Sequence, residues 1–131
     1  MKKHSPIAII FFMIFALVAC TRKDNNGTAG KGGNAQLRIV PKHHNVYTNI
    51  INAKVYIKYN AQDAPSSYDD SINCVDLSSM PTAVFTGLKA GQYYLYAKGY
   101  DSSISQNVKG GMPYTIVNET TIGLSLPVTE E

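Results

Sequence analysis

The chain of 131 residues has no tryptophan, only two cysteines and only three histidines. Use of either thiol for another purpose therefore leaves the other without a partner. Charge is sparse and mixed, and no clustered basic patch of the kind that holds nucleic acid is present. No segment after Cys20 carries a helical stripe, no internal repeat is visible, and no pairing of nucleophile with base can be read. The one long apolar run, Ile7 to Val18, is too short for a membrane-spanning helix, which needs ~20 apolar residues. These absences argue against a membrane-spanning helix, a helical bundle and a nucleic-acid binder, and they predict a chain that is not an enzyme.

The beginning of the chain is informative. Lys2 and Lys3 precede the Ile7–Val18 run, which ends in Ala19 and Cys20. A charged start, a short apolar stretch and a small residue before the cut describe a secretory signal. Leu17-Val18-Ala19-Cys20 resembles the lipobox of bacterial lipoproteins, with apolar, apolar, small and then Cys. The resemblance implies cleavage after Ala19, acylation of the Cys20 thiol and of the new amino group, and attachment to a membrane. Several acyl chains give a stable anchor where one alone gives marginal binding. The plainer alternative is an ordinary signal peptide with an incidental Cys. Thr21 is not the Asp that retains some lipoproteins at an inner membrane, so an outer-membrane lipoprotein is expected. Lys23-Asp24 partly resembles a short export signal, which leaves the periplasmic and exterior faces both open.

Removing residues 1–19 leaves 10 basic residues against 9 acidic ones, so the formal charge of +3 belongs partly to the signal. The remainder suffices for one domain with one core. Residues 20–34 hold the lipidated Cys and a Gly-rich tether, and residues 35–131 hold the domain. With Cys20 spent on lipid, Cys74 is expected to be buried as a small hydrophobe.

From Ala35 onward the apolar period is two. Leu37 and Ile39, then Val55, Ile57 and Tyr59, then Tyr93, Leu95 and Ala97, then Ile122, Leu124, Leu126 and Val128 alternate with other residues. Such alternation predicts half-buried strands, at 35–41, 53–60, 72–77, 82–86, 92–100, 113–118 and 120–127. Pro41 is expected to end the first strand, Gly110-Gly111 to punctuate the chain before the sixth, Asn118-Glu119 to form a hairpin turn and Pro127 to sit on an edge. About seven short antiparallel strands predict an all-β sandwich.

Phe85, Leu88, Gly91 and Tyr93 stand in the spacing Phe-x-x-Leu-x-x-Gly-x-Tyr. Gly91 can take a positive φ there, and Tyr93 can return its hydroxyl to the turn as a tyrosine corner does. This stretch resembles transthyretin-like sandwiches, which include carboxypeptidase regulatory-like domains and the B-type repeats of bacterial adhesins. The resemblance implies an Ig-like sandwich and little about function. The chain ends Leu126-Pro127-Val128-Thr129-Glu130-Glu131, without the Tyr-Arg-Gly-Ser of the related hydrolases. Isopeptide-forming repeats bury a Lys, an Asn and an acid together. Lys54, Lys58, Asn118 and Glu119 have those types.

Four other features bear on function. Asp63, Asp69, Asp70 and Asp76 surround a long loop, without the spacing of a calcium-binding EF-hand; a solvated loop is the expectation. Asp70-Ser71-Ile72 resembles an acceptor for O-glycosylation at Ser71. His43 and His44 are adjacent and on an extended strand would point to opposite faces, which suits chelation poorly; the expectation is that they mark an exposed loop end. Finally, Tyr94, Tyr96 and Tyr100 share the outward face of one strand, with Tyr56 as a neighbour across the sheet. Tyrosine rings stack while their hydroxyls bond, a chemistry that suits protein or sugar surfaces. The expectation is an envelope binding module for protein or glycan, with Tyr56, Tyr94, Tyr96 and Tyr100 as contact residues and no cofactor or metal. The alternative is a structural accessory subunit of an envelope assembly.

Overall fold

The computed structural model describes residues 28–131, and Cys20 with the signal segment lies outside them. Eight strands follow one another: β1 Lys31–His43, β2 Ile50–Tyr59, β3 Asp70–Asn73, β4 Val75–Leu77, β5 Met80–Leu88, β6 Gly91–Asp101, β7 Gln106–Ile116 and β8 Thr121–Glu130. The lateral order is β3-β2-β6-β7-β8-β1-β5-β4. Between β7 and β8 the ladder holds only at Val108↔Glu130 and Lys109↔Thr129. The sheet therefore folds over at this corner into two layers, β3-β2-β6-β7 against β8-β1-β5-β4, in the manner of a β-sandwich.

The alternation selects the faces. Leu37, Ile39, Val55, Ile57, Phe85, Tyr93, Leu95 and Ala97 are completely buried between the layers. Lys54, Tyr56 and Lys58 of β2 and Tyr94, Tyr96 and Lys98 of β6 take the outer face. Registers match, with Tyr56 opposite Tyr96 and Val55 opposite Ala97. Burial of the apolar set on one face is what specifies this register, since a slip by one residue would expose all of it.

The Phe85–Tyr93 stretch is a crossing between layers, because β5 pairs with β1 and β4 while β6 pairs with β2 and β7. Gly91 has φ 149°. The buried Tyr93 hydroxyl donates to Lys89 O at 2.7 Å and accepts Gly30 N–H at 2.9 Å. The first bond closes the corner, and the second pins the entering chain to it.

Several expectations change. Eight strands replace about seven, because the expected strand 72–77 breaks at Cys74 and its halves join opposite layers. The pairing is not wholly antiparallel: β1 and β8 run parallel from Gln36↔Thr121 to His43↔Val128. Lys31 to Asn34, expected as tether, belong to β1. Gly33 is there for contact rather than slackness, since a Cβ on it would lie 2.2 Å from Leu88 O. Gly110 and Gly111 lie inside β7, not before it. A Cβ on Gly110 would stand 2.1 Å from Pro127 O, so the glycine lets β8 approach. Pro41 does not end β1. Pairing with β5 stops at Ile39↔Ala83, so its missing donor is not needed there. Asn118-Glu119 turns the chain between layers instead of closing a hairpin. Pro127 lies between β7 and β1 in the sheet order rather than on an edge.

Candidate functional site

Three of the four predicted contact tyrosines gather on the outer face of β2 and β6. Tyr56 and Tyr96 are register partners with ring centroids 6.0 Å apart. Tyr94 is half-buried and lies over Gly111 of β7, where a Cβ would meet its hydroxyl at 2.7 Å. Tyr100 lies further along β6, opposite Ile51 of β2 and Asn107 of β7.

A fourth ring completes the group. Tyr68, at the end of the β2–β3 loop, stacks on Tyr96 with centroids 5.6 Å apart and planes within 16°, and lies 5.4 Å from Tyr56. Burial, followed by Tyr94, Tyr96 and Tyr56 nearby, pushes its hydroxyl pKa up. No periodicity marks Tyr68. The available signal is a single large ring in a loop otherwise made of Ala, Asn, Gln, Asp, Pro and Ser.

The loop is held at both ends. Asn60 adopts φ 55°, donates its N–H to Gln92 O and accepts Ala29 N–H at its side-chain oxygen. At the return, Asp69 N–H donates to Ile57 O. Asp69 accepts Tyr59 N–H at 2.7 Å and faces Lys58 Nζ at 3.2 Å. The Tyr59 N–H first, and then Lys58, hold its carboxyl below the usual range. Asp69 is therefore an anion at neutral pH, and Lys58 balances it.

Between loop and sheet lies an open recess of about 420 Å³, lined by Tyr56, Tyr68, Asp69, Asp70 and Ser71. Lys54 Nζ stands 5.5 Å from the Tyr56 ring centre. The recess thus offers ring faces, carboxylate acceptors and the hydroxyls of Tyr56, Tyr68 and Ser71. Such a wall can stack on an apolar face while accepting hydrogen bonds from its rim.

Asp69 and Asp70 share the recess, but each is already engaged. Asp69 is engaged as above, Asp70 caps Ser71 N–H and faces Lys31 Nζ at 3.5 Å, and Asp76 belongs to β4 in the other layer. Lys54 and Lys58 lie on the outer face of β2, away from Asn118 and Glu119 at the β7–β8 crossing. Glu119 instead accepts Asn34 N–H at 2.8 Å and Ala90 N–H at 3.0 Å.

Cys74 is half-buried at the β3–β4 crossing, and burial pushes its thiol up to about 11. It lines a recess with Asn52, Asp76 and Pro81, while the two histidines line another with Asp101 and Glu130. The thiol and the imidazoles thus occupy separate places. His44 marks an exposed loop end, whereas His43 is buried at the end of β1. His44 leaves the strand with φ 46° as the first residue of a turn closed by His43 and Val46. The two rings come to 4.1 Å between centroids.

No protein family, curated protein or solved structure matches this chain.

Proposed function

We propose that this protein is a non-enzymatic, lipid-anchored module of a bacterial envelope that captures an envelope glycan at the Tyr56–Tyr68 recess. The observation that carries the proposal is Tyr68 stacked on Tyr96 beside Tyr56, with Asp69 and Asp70 at the rim. Sugar rings present one apolar face and a girdle of hydroxyl donors. Tyrosine faces suit the first and carboxylates the second. The recess is open rather than enclosed, which suits one residue within a longer chain.

The resemblance of Leu17-Val18-Ala19-Cys20 to a lipobox supports the anchor. On this account the spacer between lipid and sheet ends at Ala29, whose N–H is already bonded to Asn60. The outer membrane is the proposed site, and the tether would present the recess at its surface.

Retention of purified envelope polysaccharide by the immobilised protein tests the function. Tyr68→Ala and Tyr56→Ala should each weaken retention by about tenfold, since losing a packed aromatic contact at a binding hot spot costs ~1–2 kcal/mol. A correctly folded Tyr68→Ala protein with unchanged retention would remove the recess from the account. Stoichiometric co-purification with one envelope protein, without saccharide binding, would point to the accessory-subunit alternative.

A further inference from the structure

His43 ends β1, and His44 begins the turn after it. Glu130 ends β8, which runs parallel beside β1. One atom from each lies within 4.8 Å of the others. Glu130 Oε1 is 3.2 Å from His43 Nε2 and 3.5 Å from His44 Nε2. Bonds of ~2.0–2.1 Å in a tetrahedral site separate neighbouring ligand atoms by about 3.3–3.4 Å. The two observed separations bracket that edge.

His43 is only 4 % exposed, yet its Nε2 has no hydrogen-bond partner, alone among the buried side-chain polar atoms of the described residues. Glu130 Oε1 can pair with this nitrogen by charge when the ring is protonated, but it stands off the line of a hydrogen bond. Leaving a buried nitrogen unpaired costs free energy, so the position calls for a ligand. The opposite ring nitrogen is fixed. Nδ1 lies 2.7 Å from Asp101 Oδ2, and Asp101 is itself held by Ser103 N–H at 2.9 Å and by the Ser103 hydroxyl. A carboxylate behind Nδ1–H orients the ring and turns the Nε2 lone pair outward, the arrangement found behind metal-bound histidines.

We propose that His43 Nε2, His44 and Glu130 bind a divalent cation of the zinc class, with Asp101 and Ser103 positioning His43. Two imidazoles and one carboxylate are a donor set that zinc accepts with a fourth position open. Asp101 and Glu130 together balance the double positive charge. The open position faces a recess of about 170 Å³ bordered by Val46, Asn49 and Ile104, where water completes the shell. His44 is 74 % exposed at its side chain and can adjust to close the geometry.

Calorimetric titration of the chelator-treated full-length protein with Zn²⁺ tests the site. The expected result is one saturable site per chain. His44→Ala should weaken it at least tenfold without loss of fold, because this ring is exposed. Asp101→Asn should weaken it by ~10–100-fold, as loss of a supporting carboxylate does. X-ray absorption at the zinc edge should show two imidazoles. Absence of saturable binding by the unmodified protein would overturn the proposal. Binding left intact in His44→Ala, with the metal then held by a thiol elsewhere, would overturn it equally.

Discussion

Tyr93 shows how one residue can join core, corner and chain entry. Its ring is wholly buried edge-on to Tyr59, with centroids 5.9 Å apart, and its hydroxyl bonds both Lys89 O and Gly30 N–H. Tyr93→Phe keeps the ring and removes both bonds. It should destabilise the domain by about 1–3 kcal/mol, the cost of leaving buried backbone groups unpaired. Urea denaturation of both proteins measures this, and equal midpoints would mean that the hydroxyl is dispensable. Tyr93 was legible in the sequence because spacing to Phe85, Leu88 and Gly91 marks the corner. Tyr68 was not, because a loop has no period and its ring reaches the sheet only through the bonds of Asn60 and Asp69. The approach of the His43 and His44 rings has a local cause: the positive φ of His44 takes it out of strand geometry, where neighbours point to opposite faces.

At the level of elements, the crossings matter more than the strands. Glu119 stands at the β7–β8 crossing and accepts N–H groups from β1 and from the β5–β6 corner. Asn34 N–H first, and then Ala90 N–H, hold its carboxyl below the ordinary value of 4.5. The folded protein therefore takes up this proton less readily than the unfolded chain. The stabilisation is fully present above pH 4.5 and is lost as pH falls through the lower folded value. Glu119→Gln should flatten this part of the acid limb when melting temperature is followed against pH. An unchanged acid limb would show that the two N–H bonds are made equally well by the neutral side chain. Alternation told which residues of each strand face inward, and those faces hold. It could not tell which strands pair, because a face pattern is the same for a parallel or an antiparallel neighbour. The β1–β8 parallel pair and the break at Cys74 belong to long-range packing, and so does the close approach that demands Gly33 and Gly110.

As a whole, the sandwich has two different ends. The chain enters at Ala29 and Gly30, beside the end of β2, the start of β6 and the β7–β8 crossing. His43, Asp101 and Glu130 lie at the opposite end, where β1, β6 and β8 finish. β1 alone has 13 residues, a length of ~40 Å at about 3.3 Å per residue. The tyrosine recess lies on the flank between these ends, on the outer face of β2 and β6. The tyrosine face was foreseen in outline, since Tyr56, Tyr94 and Tyr96 do share it. The recess itself needed the loop, which no local pattern places. The most direct test of this account is a titration of the ¹⁵N-labelled protein with fragments of envelope polysaccharide, read as amide shifts along the chain. Shifts should concentrate at Tyr56 and at Tyr68 to Ser71 and leave the β1–β8 end unmoved. Shifts centred elsewhere, or none at saturating saccharide, would contradict it.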